Sequence, residues 1–498
     1  MSTEPLSVVS SVSEETPAET LPVVVAPETE SAEPAPSEEG FNLEALLQDL
    51  QTLAITQAAA PAALCGLTAE ETAEIRVTEA EGGGSATAIA LKGVKAWEDI
   101  PSLTSEVRRG ILEKGWVKPS RIQETALPLI ITERRNIIAQ AQNGSGKTAT
   151  FALGLVSAVD PSIQQTQGIV LSPTRELARQ NLAVIEQLCK YNGITTKLVV
   201  PDEKGLPDGR ASSYPQIMSA TPGKMENLLK KRCFPANHVK MFVLDEADVM
   251  ISTENNMGGT VATIRSMLPK ECQVLLFSAT YSDQVRNFAT RIVPKALKIE
   301  VSKEDLTLET IWQTYVDCGE DGDKKFAILS DLYAIMNIGQ SVIFVNSRSV
   351  AFDIAKKLKA EGHAVSLICG TQNSGPEKMD TRMRDTVLQQ FRDGVTKVLI
   401  ATDVLARGID VPAVTLVINY ELPMEKGRPN METYLHRIGR TGRFGQKGIA
   451  INMVSSRDVG RIRQIEDFYR NKIEQIDADV ETLEKRMKQI HDNRALYK

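Results

Sequence analysis

The sequence has few of the residues that metal sites and disulfide frameworks require. Its 498 residues include only four histidines and six cysteines, and the cysteines are scattered without a CxxC pair. A zinc site is therefore not expected, and the thiols are expected to be free in a reducing compartment. No apolar run reaches the roughly 18 residues of a membrane span, so no membrane insertion is expected. The amino terminus has no basic region followed by an apolar run, so we predict no secretory signal and an intracellular protein.

Charge is distributed unevenly along the chain. The net charge is −7, but residues 1–92 hold 16 acidic and two basic side chains, whereas the remainder holds 48 acidic and 55 basic ones. The chain is therefore an acidic tail on a basic body, and a basic body suits a polyanionic partner. Residues 1–40 are rich in Glu, Ser, Thr, Pro and Ala, which bury too little apolar surface to offset the entropy of ordering. We predict a disordered acidic tail over residues 1–92.

One segment of this tail has helical periodicity, carried by Leu43, Leu46, Leu47, Leu50 and Leu53. A short amphipathic helix at 42–55 that docks on the body or on a partner would explain the stripe. A transient helix in a disordered tail would explain it equally well.

Apolar runs alternate with amphipathic helical patterns over the rest of the chain, as at Gly168–Leu171 and Ser341–Val345. Such an alternation indicates an α/β fold with parallel sheets that are covered by helices on both faces. The alternation occurs in two blocks. We predict a first domain at 93–301, a linker at 302–308 and a second domain at 309–498, which closes with a helix from about Gly460 to Ile490.

The stretch Ala141–Thr148, AQNGSGKT, follows an apolar run and opens a helical pattern. Strand, glycine-rich loop and helix together predict a phosphate-binding loop, since its N–H groups converge on an anion at a helix N-terminus. Lys147 would reach the outer phosphates and the Thr148 hydroxyl would bind Mg²⁺. The phosphates are expected on the loop residues Ala141, Gln142, Asn143, Gly144, Ser145, Gly146, Lys147 and Thr148.

A second motif, Asp245-Glu246-Ala247-Asp248, follows an apolar run that ends at Leu244. Parallel α/β sheets place their ligands at the carboxyl ends of strands. Asp245 is therefore expected to hold Mg²⁺, partly through water, and Glu246 to polarise the water that attacks the γ-phosphate. An acidic helix N-terminus alone would give the same four residues, but a phosphate-binding loop about 100 residues upstream favours the nucleotide site.

With the motifs around them, these residues resemble those of a DEAD-box RNA helicase over roughly residues 94–475. The resemblance implies two tandem RecA-like domains and RNA-stimulated hydrolysis of ATP with Mg²⁺. Gly115–Gln123 resembles the adenine-reading motif of the family, with Gln123 on the adenine edge and Trp116 on its face. Asp410 is expected on the ribose. Arg440 and Arg443 resemble the arginine fingers that reach the phosphates across the cleft between the domains.

Other motifs of the family imply RNA contacts and coupling. The residues expected to contact RNA phosphates and sugars are Thr174, Arg175, Thr221, Pro222, Gly223, Arg348, Arg392 and Thr402. Ser278, Thr280 and His436 are expected to couple the ATP site to the RNA site. Such side chains grip the RNA backbone, so single-stranded RNA should bind with little sequence preference and a steep salt dependence. Because the arginine fingers lie on the second domain, hydrolysis is expected to require closure of the domains on RNA.

Within the family, Phe242–Ile251 and Asn419–Pro423, with the polar loop after it, are similar to the mRNA-export helicases of the cytoplasmic face of the nuclear pore. This similarity implies a monomer in cytoplasm and nucleus. It also implies messenger ribonucleoprotein, a cytoplasmic-filament nucleoporin and an inositol-phosphate-bound activator as partners. A translation-type DEAD-box helicase and an ATP-gated RNA clamp with little turnover are the alternatives.

The sequence departs from the family on the RNA side. A glycine doublet is missing between Leu198 and Ile217, the segment 370–384 is several residues longer than usual, and Thr381 stands where glutamine is expected. These departures concern RNA affinity and partner surfaces more than ATP chemistry.

Overall fold

The computed structural model describes residues 75–79, 93–141, 144–201, 203, 211–251, 257–301, 311–335, 339–369, 381–403, 414–442 and 448–476. The predicted helix at 42–55 and the predicted linker at 302–308 lie outside these ranges. The described chain forms two central sheets, each of them flanked by helices. This arrangement agrees with the predicted α/β class.

The first sheet has eight strands in the order β1-β8-β2-β7-β6-β3-β5-β4. Its strands are β1 (Ile75–Glu79), β2 (Ile137–Gln140), β3 (Gly168–Leu171), β4 (Thr196–Val199), β5 (Ile217–Ala220), β6 (Met241–Leu244), β7 (Gln273–Ser278) and β8 (Leu297–Val301). Neighbouring strands are parallel, except that β1 is antiparallel to β8. Parallel strands need crossover connections, which the helices of this domain supply.

The second sheet has seven strands in the order β11-β12-β10-β13-β16-β9-β17, and all of its pairs are parallel. A separate two-stranded ribbon is formed by β14 and β15. These strands are β9 (Ile311–Asp317), β10 (Gln340–Val345), β11 (Val365–Ile368), β12 (Val398–Thr402), β13 (Val414–Asn419), β14 (Met424–Glu425), β15 (Arg428–Pro429), β16 (Gly448–Val454) and β17 (Glu474–Ile476).

Thirteen α-helices occur in the described ranges. They are α1 (Ser105–Glu113), α2 (Arg121–Leu127), α3 (Lys147–Ala158), α4 (Arg175–Leu188), α5 (Pro222–Lys230), α6 (Ala247–Ile251), α7 (Gly258–Ser266), α8 (Asp283–Ile292), α9 (Gly322–Ile335), α10 (Arg348–Ala360), α11 (Thr381–Arg392), α12 (Met431–Ile438) and α13 (Val459–Tyr469). None of them combines the length and the apolar character that crossing a bilayer demands.

Both faces of each sheet are buried. Ile137 and Ala139 of β2 pack in one core cluster, whereas Ile138 between them packs in the cluster on the other face. Ile343 and Phe344 of β10 divide in the same way. Because successive side chains of a strand point to opposite faces, an uninterrupted apolar run is what a strand between two layers of helices requires.

The cysteines agree with the expectation of free thiols. The five that the structure describes form no disulfide, and Cys189, Cys272, Cys318 and Cys369 are buried while Cys233 is half-buried. Burial raises the pKa of the Cys189 thiol to about 12. Such a thiol stays protonated and unreactive at neutral pH.

The prediction of disorder over residues 1–92 is wrong at one segment. Ile75–Glu79 forms the edge strand β1, in the register Ile75↔Val301 to Glu79↔Leu297 with β8. The side chain of Val77 is buried in the core of the first domain. A five-residue edge strand obtains its hydrogen bonds from a partner more than 200 residues away, so local composition gave no indication of it.

The predicted helix from about Gly460 to Ile490 is also wrong in part. Helix α13 ends at Tyr469, and the following Arg470 has a left-handed φ of 51°. Glu474–Ile476 then forms β17, which pairs in parallel with β9. Burial of Ile473 and Ile476 stabilises this return to the sheet. Residues from 477 onward lie outside the described ranges.

The strand order determines where a ligand can bind in the first domain. β2, β7 and β6 are neighbours, in the registers Gln140↔Ser278 and Leu244↔Leu276. The segments that follow these three strands therefore leave the sheet side by side at its carboxyl edge. They are the phosphate-binding loop, Ser278–Thr280 and Asp245–Asp248.

Candidate active site

The loop before helix α3 has the backbone that a phosphate cradle needs. Gly144 and Gly146 have φ angles of 86° and 99°, which favour glycine, and Gly146 precedes the first helical residue Lys147. A Cβ at Gly146 would lie 2.6 Å from Nε2 of Gln123 and 2.7 Å from Oγ of Ser120. Only glycine fits there, so the chain can pass close to Gln123 and Ser120 as it enters the N-terminus of α3, which is where a phosphate would bind. The predicted loop residues Gln142 and Asn143 lie outside the described ranges.

The segment that resembles an adenine-reading motif is hydrogen-bonded to this loop. Oε1 of Gln123 accepts from the backbone N–H of Ser120 at 2.8 Å, and its Nε2 donates to the carbonyl of Gly146 at 3.2 Å. Oγ of Ser120 donates to the carbonyl of Ser145 at 2.7 Å. Gln123 therefore sits at the phosphate loop, where a nucleotide would meet it. Trp116 is half-buried against the core, and its carbonyl accepts a 2.9 Å hydrogen bond from the buried Trp97.

Lys147 lies among acidic groups in the interior. Its side chain is only 6% exposed. Burial lowers the pKa of Lys147, against the attraction of Asp245, Asp248 and Glu246. A buried ammonium group beside the glycine-rich loop suits the outer phosphates of a nucleotide, whose negative charge would favour its protonated form further.

Asp245 follows β6 and has the chemistry of a Mg²⁺ ligand. Its Oδ2 accepts from Nδ2 of Asn181 at 2.8 Å, and its Oδ1 accepts from the backbone N–H of Glu246 at 3.1 Å. Burial raises the pKa of Asp245 to about 6, helped by the charge of Glu246 and opposed by Lys147. Thr148, in the first turn of α3, is half-buried. One carboxylate and one hydroxyl, completed by phosphate oxygens and water, are the oxygen donors that Mg²⁺ accepts.

Glu246 is held in an unusual backbone conformation, with a φ of 51°. It is 4% exposed, and among the described residues its Oε2 has no hydrogen-bond partner. A buried carboxylate oxygen without a donor is costly, so the site is suited to a water molecule that this oxygen would hold and deprotonate. A strained backbone of this kind at a residue other than glycine is typical of functional sites.

Asp248 joins the three predicted coupling residues. Its Oδ2 accepts from the backbone N–H and from Oγ1 of Thr280, at 3.0 and 2.8 Å, and lies 3.4 Å from Nε2 of His436. Ser278 accepts from the N–H of Asp248 and donates to the carbonyl of Thr280. Burial raises the pKa of Asp248, but the hydrogen bonds and attraction of His436 and Thr280 outweigh it and hold the pKa well below its usual range.

The second domain contributes cations from α12 and the turn after it. NH2 of Arg440 lies 3.8 Å from Oε1 of Glu246, and its Nε donates to the carbonyl of His436 at 3.0 Å. Asn430 caps α12 by accepting from the N–H of Thr433 at 2.9 Å. Residues from both domains thus line one buried site, which holds the predicted Lys147, Asp245, Glu246 and Arg440. Arg443 and Asp410 lie outside the described ranges.

Comparison with known proteins agrees with this geometry. The DEAD/DEAH box helicase family matches residues 120–288, and the helicase conserved C-terminal domain matches residues 324–445. The ATP-dependent RNA helicase DBP5 of Scheffersomyces stipitis is 44% identical over 385 residues, which cover 76% of this chain and 74% of that protein. The chain belongs to the DEAD-box family of ATP-dependent RNA helicases.

Solved structures of this family have the same fold. Dbp5 of S. cerevisiae bound to RNA and ADP BeF3 superposes with a TM-score of 0.74 at 39% identity, covering 80% of this chain and all of that one. A variant of the same protein bound to nup159, a gle1 variant, ip6 and adp has a TM-score of 0.57 at 38% identity, covering 78% of this chain and 100% of that one. The predicted family and the two tandem RecA-like domains are confirmed.

Most residues that the DEAD-box resemblance assigns to RNA lie at the carboxyl edges of the two sheets. Thr174 caps helix α4 by accepting from the N–H of Leu177, and Arg175 is the first residue of that helix. Thr221, Pro222 and Gly223 begin α5, and Arg348 begins α10. Thr402 ends β12 and is 7% exposed. Helix N-termini bind phosphate well, so this edge suits an RNA backbone.

Arg392 is not brought together with these residues. It ends helix α11 and is exposed, and the carbonyl beside it, that of Phe391, accepts from the side chain of Gln340. Gln340 is the first residue of β10, whereas Arg348 follows the last. A six-residue strand is about 17 Å long, so Arg392 lies at the opposite edge of the sheet. Its expected place among the RNA contacts is wrong for this arrangement.

Two buried groups between the domains were missed at the sequence level. NH2 of Arg384 lies 2.7 Å from Oε1 of Glu176, with the side chains 8% and 3% exposed. Beside them Arg179 pairs with Asp385 at 3.4 Å on the surface. Glu176 follows Thr174 and Arg175, which were expected on RNA, but the order of residues does not say which side chain faces the other domain. The position of Arg384 in the long segment 370–384 was the only signal.

Arg437 was also missed. Its side chain is fully buried, and it donates to Asp403 at 2.5 Å, to Asn346 at 2.8 Å and to the carbonyl of Glu421 at 2.6 Å. These partners follow three different strands of the second sheet. Arg437 therefore anchors α12, which carries His436, to the carboxyl edge of that sheet.

Proposed function

We propose that this DEAD-box helicase closes its two domains on single-stranded RNA and hydrolyses ATP with Mg²⁺ in the closed state. The observation that carries the proposal is the approach of Arg440 to Glu246, 3.8 Å apart and from different domains. On the first domain, Lys147 is the only cation proposed to reach the phosphates. An arginine finger contributes on the order of 10³–10⁵ to the rate of phosphoryl transfer, so an open enzyme should turn over little.

Each side chain has a proposed task in this reaction. Trp116 and Gln123 hold the adenine, and Lys147 and the N–H groups of the loop hold the phosphates. Thr148 and Asp245 would hold Mg²⁺, which when bound neutralises charge on the β- and γ-phosphates. Glu246 orients the attacking water and accepts its proton. Arg440 stabilises the charge that develops on the transferred phosphoryl group, with Arg443 as the second finger and Asp410 on the ribose.

RNA is proposed to make closure favourable because both domains bind it. The first domain offers the N-termini of α4 and α5, and the second offers that of α10 together with Thr402. A strand that touches both edges stabilises the closed state, in which Asp248 also meets His436. Closing on RNA and opening after hydrolysis would remodel the ribonucleoprotein.

The biological setting is proposed to be mRNA export at the cytoplasmic face of the nuclear pore. The relatives of known structure are described as bound to RNA, and to nup159, gle1 and ip6. With 39% and 38% identity to those relatives, this chain is expected to bind a cytoplasmic-filament nucleoporin and an activator that carries an inositol phosphate. It would then act on messenger ribonucleoprotein as a monomer that is present in cytoplasm and nucleus.

The test of the mechanism is steady-state ATP hydrolysis with and without single-stranded RNA. Wild type is expected to be strongly stimulated by RNA, and Arg440→Ala is expected to lose about 10³-fold in stimulated rate while still binding ATP. Arg463→Ala, an exposed arginine on α13, is the matched control and should behave as wild type. Equal rates with and without RNA in wild type would contradict RNA-gated closure and favour a clamp.

The setting needs a separate test. Calorimetric titration of the chain with nup159, which the related Dbp5 structure contains, should detect a complex at one-to-one stoichiometry. Absence of binding, alongside RNA-stimulated ATPase, would contradict the pore setting and favour a translation-type helicase.

A further inference from the structure

The Asp245 carboxylate is oriented by an amide that the reaction described above does not use. Asn181 is fully buried on helix α4, and its Nδ2 donates to Oδ2 of Asp245 at 2.8 Å and to Oγ of Ser172 at 3.1 Å. Ser172 follows β3, the strand beside β6. The amide therefore joins the segments that follow two neighbouring strands.

The two oxygens of Asp245 are held by different donors. Oδ1 accepts from the backbone N–H of Glu246, and Oδ2 accepts from Asn181. A carboxylate has about four lone-pair positions, so these bonds fix the plane of the group and leave positions open for a cation. Only proline would remove the backbone N–H of Glu246, and its fixed φ does not fit the 51° found there, whereas the amide of Asn181 can be removed by substitution.

The other end of the amide is unsatisfied. Among the described residues, Oδ1 of Asn181 is buried and has no hydrogen-bond partner. Turning the amide round would set its carbonyl oxygen against the Asp245 carboxylate, so the orientation with Nδ2 on Asp245 is the favourable one. An acceptor left open beside a proposed Mg²⁺ ligand suits a donor that arrives with the ligand, such as water of the metal shell.

We infer that Asn181 is a positioning residue that orients Asp245 for Mg²⁺ and ties this carboxylate to helix α4. The inference deepens the proposed function, because it rests on Asp245 as a metal ligand and on Thr174 and Arg175 as RNA contacts. Asn181 lies six residues after Arg175, about 9 Å along the helix. A helix that is stiff over this distance carries a displacement at the RNA contact to the metal ligand.

The decisive measurement is nucleotide binding rather than turnover. A fluorescent ADP analogue is titrated into the full chain in EDTA and then at increasing Mg²⁺. Residues that orient metal ligands change metal affinity by 10–100-fold when they are replaced. Asn181→Ala and the bulkier Asn181→Leu are expected to need about tenfold more Mg²⁺ for the metal-dependent gain in affinity, with binding in EDTA unchanged. Ser172→Ala, which frees the amide on one side, should have a smaller effect in the same direction.

Ser219→Ala is the matched control. Ser219 is buried, and its Oγ donates to the carbonyl of Ala178 at 2.7 Å. Ala178 lies on α4, as Asn181 does, but this hydrogen bond does not involve Asp245. If loosening of the helix explained the Asn181 variants, Ser219→Ala would shift the Mg²⁺ titration as well. An unchanged titration for all Asn181 and Ser172 variants would overturn the inference. Wild type without any Mg²⁺-dependent gain would instead contradict the proposed metal ligands.

The inferred link between Asp245 and the RNA contacts on α4 is tested by repeating the Mg²⁺ titration in the presence of an oligouridylate. Single-stranded RNA is expected to lower the Mg²⁺ requirement of wild type several-fold and to leave that of Asn181→Ala unchanged. An equal effect of RNA on both proteins would overturn the tie. Raising Mg²⁺ about tenfold should also restore the RNA-stimulated ATPase of Asn181→Ala, which a misfolded protein would not allow.

Discussion

Nε2 of His436 lies 3.4 Å from Oδ2 of Asp248, although 188 residues separate them and they come from different domains. Both side chains are about 1% exposed. Asp248 is also bonded to Thr280, so in the proposed coupling this carboxylate would link the position of the second domain to the segment after β7. Coupling between sites requires such a group, whose contacts differ between open and closed states.

The first prediction follows from this pair. His436→Ala removes a hydrogen bond to a buried charge, which contributes about 1.5–3 kcal/mol, so RNA-stimulated ATP hydrolysis should fall about 10–100-fold. The free energy of binding ATP to the open enzyme should change little. His363→Ala is the control, since that imidazole is half-buried on the second domain near Glu361, away from the cleft. A stimulated rate equal to wild type would remove His436 from the coupling.

The second prediction concerns the Glu176–Arg384 pair. A double-mutant cycle with Glu176→Gln and Arg384→Met should give a coupling energy of about 1–3 kcal/mol for RNA binding with a non-hydrolysable ATP analogue. The same cycle with Arg179→Met and Asp385→Asn should give less than about 1 kcal/mol, because that pair is exposed. Similar coupling energies in the two cycles would mean that burial does not set the strength of closure.

The third prediction is a dependence of stability on pH. The pKa of Asp245 is raised to about 6 by burial, above the 3.8 of an unperturbed aspartate, so the ionised form destabilises the metal-free protein. This cost is absent below pH 3.8, grows as pH rises to 6 and is complete above it. Asp245→Asn should therefore increase the free energy of unfolding at pH 8 by up to about 3 kcal/mol, and by about half of that at pH 5.

Urea unfolding of the first domain without Mg²⁺ measures this difference. Asp160→Asn is the control, since hydrogen bonds from Ser162 lower the pKa of that carboxyl, and the substitution should not stabilise at either pH. If Asp245→Asn increased the free energy of unfolding more at pH 5 than at pH 8, the raised pKa of Asp245 would be contradicted. The increased stability should be accompanied by loss of ATPase, the usual trade at a functional site.

The fourth prediction separates two neighbouring arginines of α12 and its following turn. Arg437→Ala removes a fully buried guanidinium from Asp403, whose side chain is 32% exposed, and from Asn346, so the second domain should lose about 1.5–3 kcal/mol of stability. Thermal unfolding measures the loss. Arg440→Ala should melt close to wild type, because its task is in the closed site. Equal melting of the two variants would contradict the anchoring assigned to Arg437.

Much of the fold was predictable because its strands are nearly continuous apolar runs. Gly168–Leu171 is a strand as predicted, and the run Ser341–Val345 lies in β10, which begins one residue earlier. A strand that is buried on both faces of a sheet is apolar at nearly every position, so it can be recognised in the sequence. The edge strands Ile75–Glu79 and Glu474–Ile476 were missed because they are short and depend on a distant partner.

The ATP side of the site was predictable for a related reason. A phosphate loop is a local structure, since strand, glycines and helix are consecutive in the chain. Asn181, Arg384 and Arg437 are different, because each contacts a residue that chain order does not bring near. Arg392, in contrast, was predicted at the RNA site but lies elsewhere. Its motif was recognised, but the end of the helix on which it sits could only be read from the structure.

The polar pairs across the cleft also bear on how the domains separate after each round of hydrolysis. Glu176–Arg384, Asp248–His436 and Glu246–Arg440 each take one partner from each domain. When the domains part, water solvates both members of each pair, which offsets much of the lost attraction. Separating an apolar interface would instead expose apolar surface to water without such compensation. Separating these polar contacts therefore costs less free energy than separating an apolar interface of the same area. The proposed closed state could therefore open after each round of ATP hydrolysis, release its RNA and close again on another strand.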